Sequence, residues 1–209
     1  MPSRNSIKKF QSDAIYHVYN RGVAKRNIFL DDQDYRAFLR RLELMLLPKE
    51  ETESVQRAKD RIRITNYHKR VHLQAFCLMA NHFHLMLWHA DESAITQFMH
   101  TLSTSYSMYF NRKYKRVGPL FQGRFKAVWV DDDDYHIHLS RYIHCNPLVL
   151  GADVYTYSYS SLQYYFEPNV PRWLQPGSVQ EHFADKTEYQ HFIDDLSDIK
   201  AAETTYSLN

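Results

Sequence analysis

His72-Leu-Gln-Ala-Phe-Cys-Leu-Met-Ala-Asn-His-Phe-His-Leu-Met-Leu-Trp-His89 is the most apolar stretch of the chain. It reads as two adjacent strands, roughly His72–Cys77 and His82–Trp88, with Ala80-Asn81 as a tight turn or bulge between them. Side chains alternate across a strand, so His82 and His84 share one face and Phe83 is buried on the other. Two imidazoles side by side suit one divalent metal. Alone the pattern leaves the choice open, because paired strand histidines also serve as surface residues or core hydrogen-bonders.

Working outward, Ala14 to Asn20 alternates as a half-buried strand does, and Arg21-Gly22 is a natural turn. Asp31-Asp32 precede Tyr35, Phe38, Leu39, Leu42, Leu44 and Leu46, the spacing of an amphipathic helix capped by an acid. Leu47 to Asn66 is charged, a solvated helix or a loose insertion with no chemistry visible in it. On the other side, Ile95, Phe98, Met99, Leu102, Tyr106 and Tyr109 predict a helix over Asp91–Asn111. Leu120 to Trp129 alternates as a strand. Asp131 to Asp134 precede a helix from Tyr135 to about Asn146, stopped by Pro147. Acids ahead of a helix are expected from capping and the macrodipole, so no metal is assigned to them. Beyond about Pro168 the pattern weakens into a polar tail with a short helix near Glu188–Ile199. The division is a basic leader (1–13), one domain (14–166) with a charged insertion (47–66), and a tail (167–209).

Composition narrows the class. The chain has 209 residues, 44% hydrophobic and 24% charged, as ordinary globular proteins do, and a net charge of only +2. Any polyanion must therefore meet a local patch. Two cysteines, Cys77 and Cys145, imply no disulfide framework and suit a reducing compartment. The first ten residues are basic and polar, unlike a secretory signal. No apolar run approaches the roughly 20 residues that span a membrane. A cytoplasmic protein without a membrane partner is expected.

Tyr142 and Asn146, four apart, share a helical face. A phenol with a pKa of about 10 is a poor nucleophile unless a metal polarises its target. Asn146 offers a hard amide oxygen suited to Mg²⁺ or Mn²⁺. One tyrosine among 16 does not identify itself. Tyr106 to Lys126 interleaves aromatics with Arg112, Lys113, Lys115, Arg116, Arg124 and Lys126, as a single-stranded nucleic-acid surface does, and as a solvated helix end also does. His136-Ile-His138 is a second His-x-His, but on a helix residues two apart point about 200° apart and do not share a metal easily. Cys145 has no activating neighbour and reads as packing.

Four runs in order resemble one family. Tyr16-His-Val-Tyr-Asn-Arg-Gly22, Phe76-Cys-Leu-Met-Ala-Asn-His-Phe-His-Leu-Met-Leu87, Leu120-Phe-Gln-Gly-Arg-Phe-Lys126 and Tyr142-Ile-His-Cys-Asn-Pro147 are similar to the IS200-like single-tyrosine (HUH) transposases, and most of all to the REP-associated branch. The resemblance implies an α+β, ferredoxin-like (RRM-like) antiparallel sheet with helices packed on it and the HUH motif on a central strand. It implies Tyr142 as the nucleophile that attacks a DNA phosphate, leaving a 5′-phosphotyrosine and a free 3′-hydroxyl. His82, His84 and Asn146 would hold Mg²⁺ or Mn²⁺. Substrates would be single-stranded DNA hairpins of the REP kind, cleaved and rejoined, and the location cytoplasmic and nucleoid-associated. Relatives commonly have proline where Ala80 stands. Family members act as dimers exchanging tyrosine helices or as monomers, and the sequence does not choose.

Two other classes stay open. A catalytically idle descendant would bind DNA or RNA hairpins as a regulator, although His82, His84, Tyr142 and Asn146 are all intact. A zinc hydrolase using the two histidines lacks an obvious third strong ligand and a nearby carboxylate base.

Overall fold

The computed structural model describes residues 10–56 and 64–195. Most of the 1–13 leader, residues 57–63 of the charged insertion and the end of the helix expected near Glu188–Ile199 lie outside the described residues.

Four strands form one antiparallel sheet: β1 (Ala14–Arg21), β2 (Val71–Met79), β3 (His82–His89) and β4 (Lys126–Val130), in the order β2-β3-β1-β4. β2 and β3 are a hairpin whose two-residue turn is Ala80-Asn81. The helices are α1 (Asp32–Leu46), α2 (Lys49–Gln56), α3 (Ala94–Lys113), α4 (Asp133–Cys145), α5 (Leu162–Phe166), α6 (Gly177–Gln180) and α7 (Lys186–Asp194). This is the ferredoxin-like α+β arrangement, with the histidine strand β3 inside the sheet.

The pleat divides the sheet between two cores. Tyr16 and Val18 of β1 and Phe83, Leu85 and Leu87 of β3 join α1 and α3 in one cluster, with Phe38, Leu42, Phe98 and Leu102. On the opposite face Ala75, Cys77 and Met86 meet Leu139 and Ile143 of α4. A one-residue slip of β3 would turn His82 and His84 into the first core and Phe83 onto the α4 face. In the observed register Phe83, Leu85 and Leu87 are each fully buried against α1 and α3. The apolar residues of β3 thus fix the face on which its histidines stand.

Helix ends follow the local chemistry. Asp31 accepts from the Asp34 amide at 3.1 Å and Asp132 from the Tyr135 amide at 2.6 Å, so both act as caps worth about 1 kcal/mol. Pro147 ends α4 by tightening the chain into a 3-10 turn over Asn146–Leu150.

One expected strand is shorter than its alternation suggests. Continuous pairing covers only Lys126–Val130; ahead of it Phe121 makes one isolated antiparallel bridge to Gly22, and Leu120 is buried from a loop. Gly118 and Gly123, both at positive φ (93° and 96°), bend the chain out of the pleat here.

The free edge of β2 is covered from the C-terminal side. The Leu78 amide donates to Tyr159 O, and the Ser161 amide to Phe76 O, both at 2.9 Å; the Gln175 amide donates to Leu73 O at 2.8 Å. The described residues after 166 also supply Trp173 and Leu174 to one core and Tyr189 and Ile193 to the other. Within the charged insertion, Lys49–Gln56 is helical and the Thr52 hydroxyl donates to Pro48 O at 3.1 Å. No helix among the described residues is long and apolar enough to cross a membrane.

Candidate active site

β3 carries His82 and His84 on the α4 side, with ring centroids 5.0 Å apart and planes perpendicular. α4 lies across the same face and brings Tyr142 to His84, edge to face, with centroids 5.4 Å apart. The residues come from strand and helix positions 58 apart in sequence, and they meet within one chain.

Each histidine has its Nδ1 engaged. The Asn81 side chain donates through Nδ2 to Lys25 O at 3.2 Å, which turns its Oδ1 towards His82 Nδ1 at 2.6 Å. His84 Nδ1 lies 2.8 Å from His17 Nε2. Asn146 Nδ2 donates to Tyr142 O at 2.9 Å. His84 Nε2 is buried and has no partner among the described residues. Burial lowers the pKa of His82 to about 4, with the nearby Asn146 side chain opposing the shift, and drives that of His84 well below the usual value. Both rings are therefore neutral at pH 7, the form that offers a lone pair to a metal.

An unsatisfied buried nitrogen beside a second imidazole and a hard amide oxygen is a donor set that fits a divalent cation with open positions. Among the described residues no group of three or more His, Cys, Asp and Glu adds a stronger ligand. Further positions are thus left for substrate oxygens.

Next to the histidines is a cleft of about 390 Å³ lined by Tyr19, Asn20, Arg21, Lys25, Gln122, Arg124 and Lys126. Tyr19 joins the two features, its ring 5.8 Å from His84 and 5.7 Å from Lys126 Nζ. Gly22 makes the turn that brings Arg21 and Lys25 here. A Cβ at that position would lie 2.1 Å from Arg26 O, so only glycine fits.

The expected cations are placed unequally. Arg124 and Lys126 line the cleft. Arg112 and Lys115 are exposed, and Arg116 donates to Asn111 Oδ1 at 2.9 Å. Lys113 departs from expectation. Its Nζ is held by Asp31 at 2.7 Å and by the fully buried Asp34 at 2.8 Å, pinning the end of α3 to the start of α1. Two carboxylates thus surround this ammonium, unlike Arg124 and Lys126, which line the cleft. Conversely, His17, Arg21 and Lys25 were not singled out by the sequence. His17 had one available signal, its place on the polar side of an alternating strand.

The second pair, His136 and His138, does not converge. His136 Nε2 meets Gln74 Oε1 at 3.0 Å, whereas His138 Nδ1 meets Arg141 Nη2 at 2.9 Å. α4 itself is held from behind by the C-terminal segment. Tyr189 OH lies 3.1 Å from Ser140 Oγ and 2.8 Å from His144 Nδ1, and Arg141 donates to Asp195 O at 2.9 Å. These contacts fix the helix that carries Tyr142. Cys145 is buried beside Ile193 O, and burial pushes its thiol up to about 12, in keeping with a packing role.

A family model described as "Transposase IS200 like" matches residues 41–146, about half the chain. The chain belongs to the IS200-like transposase family. Among solved structures it is similar to a REP-associated tyrosine transposase bound to a REP hairpin. That match has a TM-score of 0.54 and 13% sequence identity, and it covers 84% of this chain and 93% of the other. At that identity the likeness concerns the fold. No curated protein matches the sequence significantly.

Proposed function

We propose that this transposase cleaves and rejoins single-stranded DNA beside hairpins through a covalent bond to Tyr142, with His82, His84 and Asn146 holding Mg²⁺ or Mn²⁺. The observation that carries the reading is the meeting of the Tyr142 ring with His84, whose buried Nε2 lacks a partner. The REP hairpin bound by the structural neighbour supports the same class of substrate.

In the cleavage step the Tyr142 oxygen gives up its proton and bonds to phosphorus. The P–O3′ bond breaks and the departing 3′ oxygen takes up a proton. The 5′ side remains as a phosphotyrosine. Attack by a 3′-hydroxyl on that ester reverses the step, so rejoining needs no ATP. A bound divalent cation supplies polarisation of the phosphate and stabilisation of the departing charge. The burial of His82 and His84 keeps them neutral and fixed, and the Asn146–Tyr142 carbonyl bond holds the amide on the same face of α4. Arg21, Lys25, Arg124 and Lys126 offer cations to the phosphates, with Tyr19 as a stacking surface. Because one chain supplies both the tyrosine and the histidines, the chemistry requires no second subunit.

The test is a labelled single-stranded hairpin oligonucleotide incubated with the protein and Mg²⁺ or Mn²⁺, then run on a denaturing gel. A covalent adduct is expected with the natural sequence and none with Tyr142→Phe. An adduct that survives the substitution moves the nucleophile elsewhere, Tyr135 being the next candidate. Hairpin binding without any adduct would instead make the protein a binding regulator.

A further inference from the structure

β1 runs beside β3, and its alternation puts Tyr16 and Val18 in the α1/α3 core and His17 on the opposite face. His17 is only 1% exposed. Its ring lies nearly parallel to that of His84, with centroids 5.0 Å apart and planes at 21°, and edge-on to Tyr142 at 5.9 Å. Its Nε2 is 2.8 Å from His84 Nδ1.

A neutral imidazole carries one proton on two nitrogens, so a bond between two ring nitrogens needs one proton between them. With that proton on His84 Nδ1 and His17 Nε2 accepting it, His84 Nε2 is a lone pair facing the site. With the proton on His17 instead, His84 would carry an N–H at its buried Nε2, where the described residues give it no acceptor. The first arrangement is the one in which His84 Nε2 can meet a cation as a lone pair, so it is the one that the metal-ligand reading requires. It also matches His82, whose Nδ1 proton goes to Asn81 Oδ1. Both rings then present Nε2 lone pairs, as two ligands of one cation must. An apolar residue would fill position 17 with less desolvation cost, so a buried histidine there asks for a polar task.

We infer that His17 is a positioning residue that holds His84 in its Nδ1–H tautomer and fixes the ring for metal and substrate. This rests on the reading of His82 and His84 as metal ligands, and it adds to that reading a residue that touches neither metal nor DNA. Partners of this kind orient metal-bound histidines, and their loss typically costs 10–100-fold in affinity.

Nitrogen-15 NMR of histidine-labelled protein reads the tautomer without any change at position 17, the His84 signals being assigned by their loss in His84→Gln. A protonated Nδ1 and bare Nε2 are expected on His84; the reverse overturns the inference. Mn²⁺ affinity, measured by electron paramagnetic resonance on the full chain, gives the second readout. His17→Leu is expected to weaken it about 10–100-fold. His17→Gln, whose side-chain oxygen accepts the same proton, is expected to recover most of the loss, and saturating Mn²⁺ should restore adduct formation in His17→Leu. Equal Mn²⁺ affinity in natural protein and His17→Leu overturns the role of His17 alone. Mn²⁺ uptake that ignores both His82→Ala and His84→Ala overturns the ligand reading and this inference with it.

Discussion

His82 and His84 on β3 share a spacing with His136 and His138 on α4, yet the two pairs stand in different chemistry. On the strand the alternation brings two rings to one face, 5.0 Å apart. On the helix the same spacing sends His136 inward to Gln74 of β2 and His138 sideways to Arg141 and the Phe192 ring. The first pair keeps the buried His84 Nε2 without a bond, and the second commits one nitrogen of each ring to a structural bond. Backbone conformation, rather than spacing, decides whether two imidazoles can hold one ion.

The sharpest way to break this contrast is to remove each pair. His82→Ala or His84→Ala should reduce adduct formation by on the order of a hundredfold or more, as loss of a group that stabilises transition-state charge does. His138→Ala should leave it within about twofold. Initial rates on one hairpin at fixed Mn²⁺ compare them, and equal losses in both would dissolve the distinction.

A pH series probes what the two sites have in common. Burial lowers the pKa of His17 and His144 to about 3, and of His82 and His136 to about 4. In the unfolded chain each returns to about 6.5, so between those values the unfolded state binds more protons. Stability is then full above pH 6.5 and lost as pH falls towards 4. Each fully buried ring, such as His144, contributes up to about 1.4 kcal/mol per pH unit in that window. Urea midpoints at pH 7.5 and pH 5 test the sign; a midpoint that rises on acidification refutes it.

His136→Leu sharpens the comparison from the structural side. It strands Gln74 Oε1 in the interior and should cost about 1–3 kcal/mol of unfolding free energy. Its adduct yield at low temperature should stay near normal. A large loss of cleavage with unchanged stability would bring His136 into the chemistry.

The smallest effect extends the contrast from histidines to cations. Replacing Arg124 and Lys126 with alanine should lower the salt slope of hairpin binding by about 0.7 for each lost phosphate contact on a single strand. Lys113→Met should hardly change the slope, because Asp31 and Asp34 already surround that ammonium. Equal slopes for the two variants would place Lys113 on the DNA after all.

Much of the fold was legible because its signals are local. The alternation of Ala14–Asn20 and His82–Trp88, the acid caps at Asp31 and Asp132, and the three- and four-residue spacing in α1 and α3 each depend on neighbours within a turn or a pleat. The strand read over Leu120–Trp129 was too long because buried apolar residues mark a loop as readily as a strand, and Leu120 is such a loop residue. The placement of Lys113 was hidden for a different reason. Its carboxylate partner Asp31 lies 82 positions away, beyond the reach of any local pattern.

By itself the sequence determined which side of β3 its histidines occupy, since the period of a strand and the burial of Phe83 leave one answer. It also determined that Tyr142 and Asn146 share a helical face. Only tertiary structure decided that these two faces meet, that His17 stands behind His84, and that Arg21 and Lys25 join the cleft. The reason is that periodicity fixes orientation within an element, whereas contacts between elements 50 or more residues apart are set by how whole faces pack.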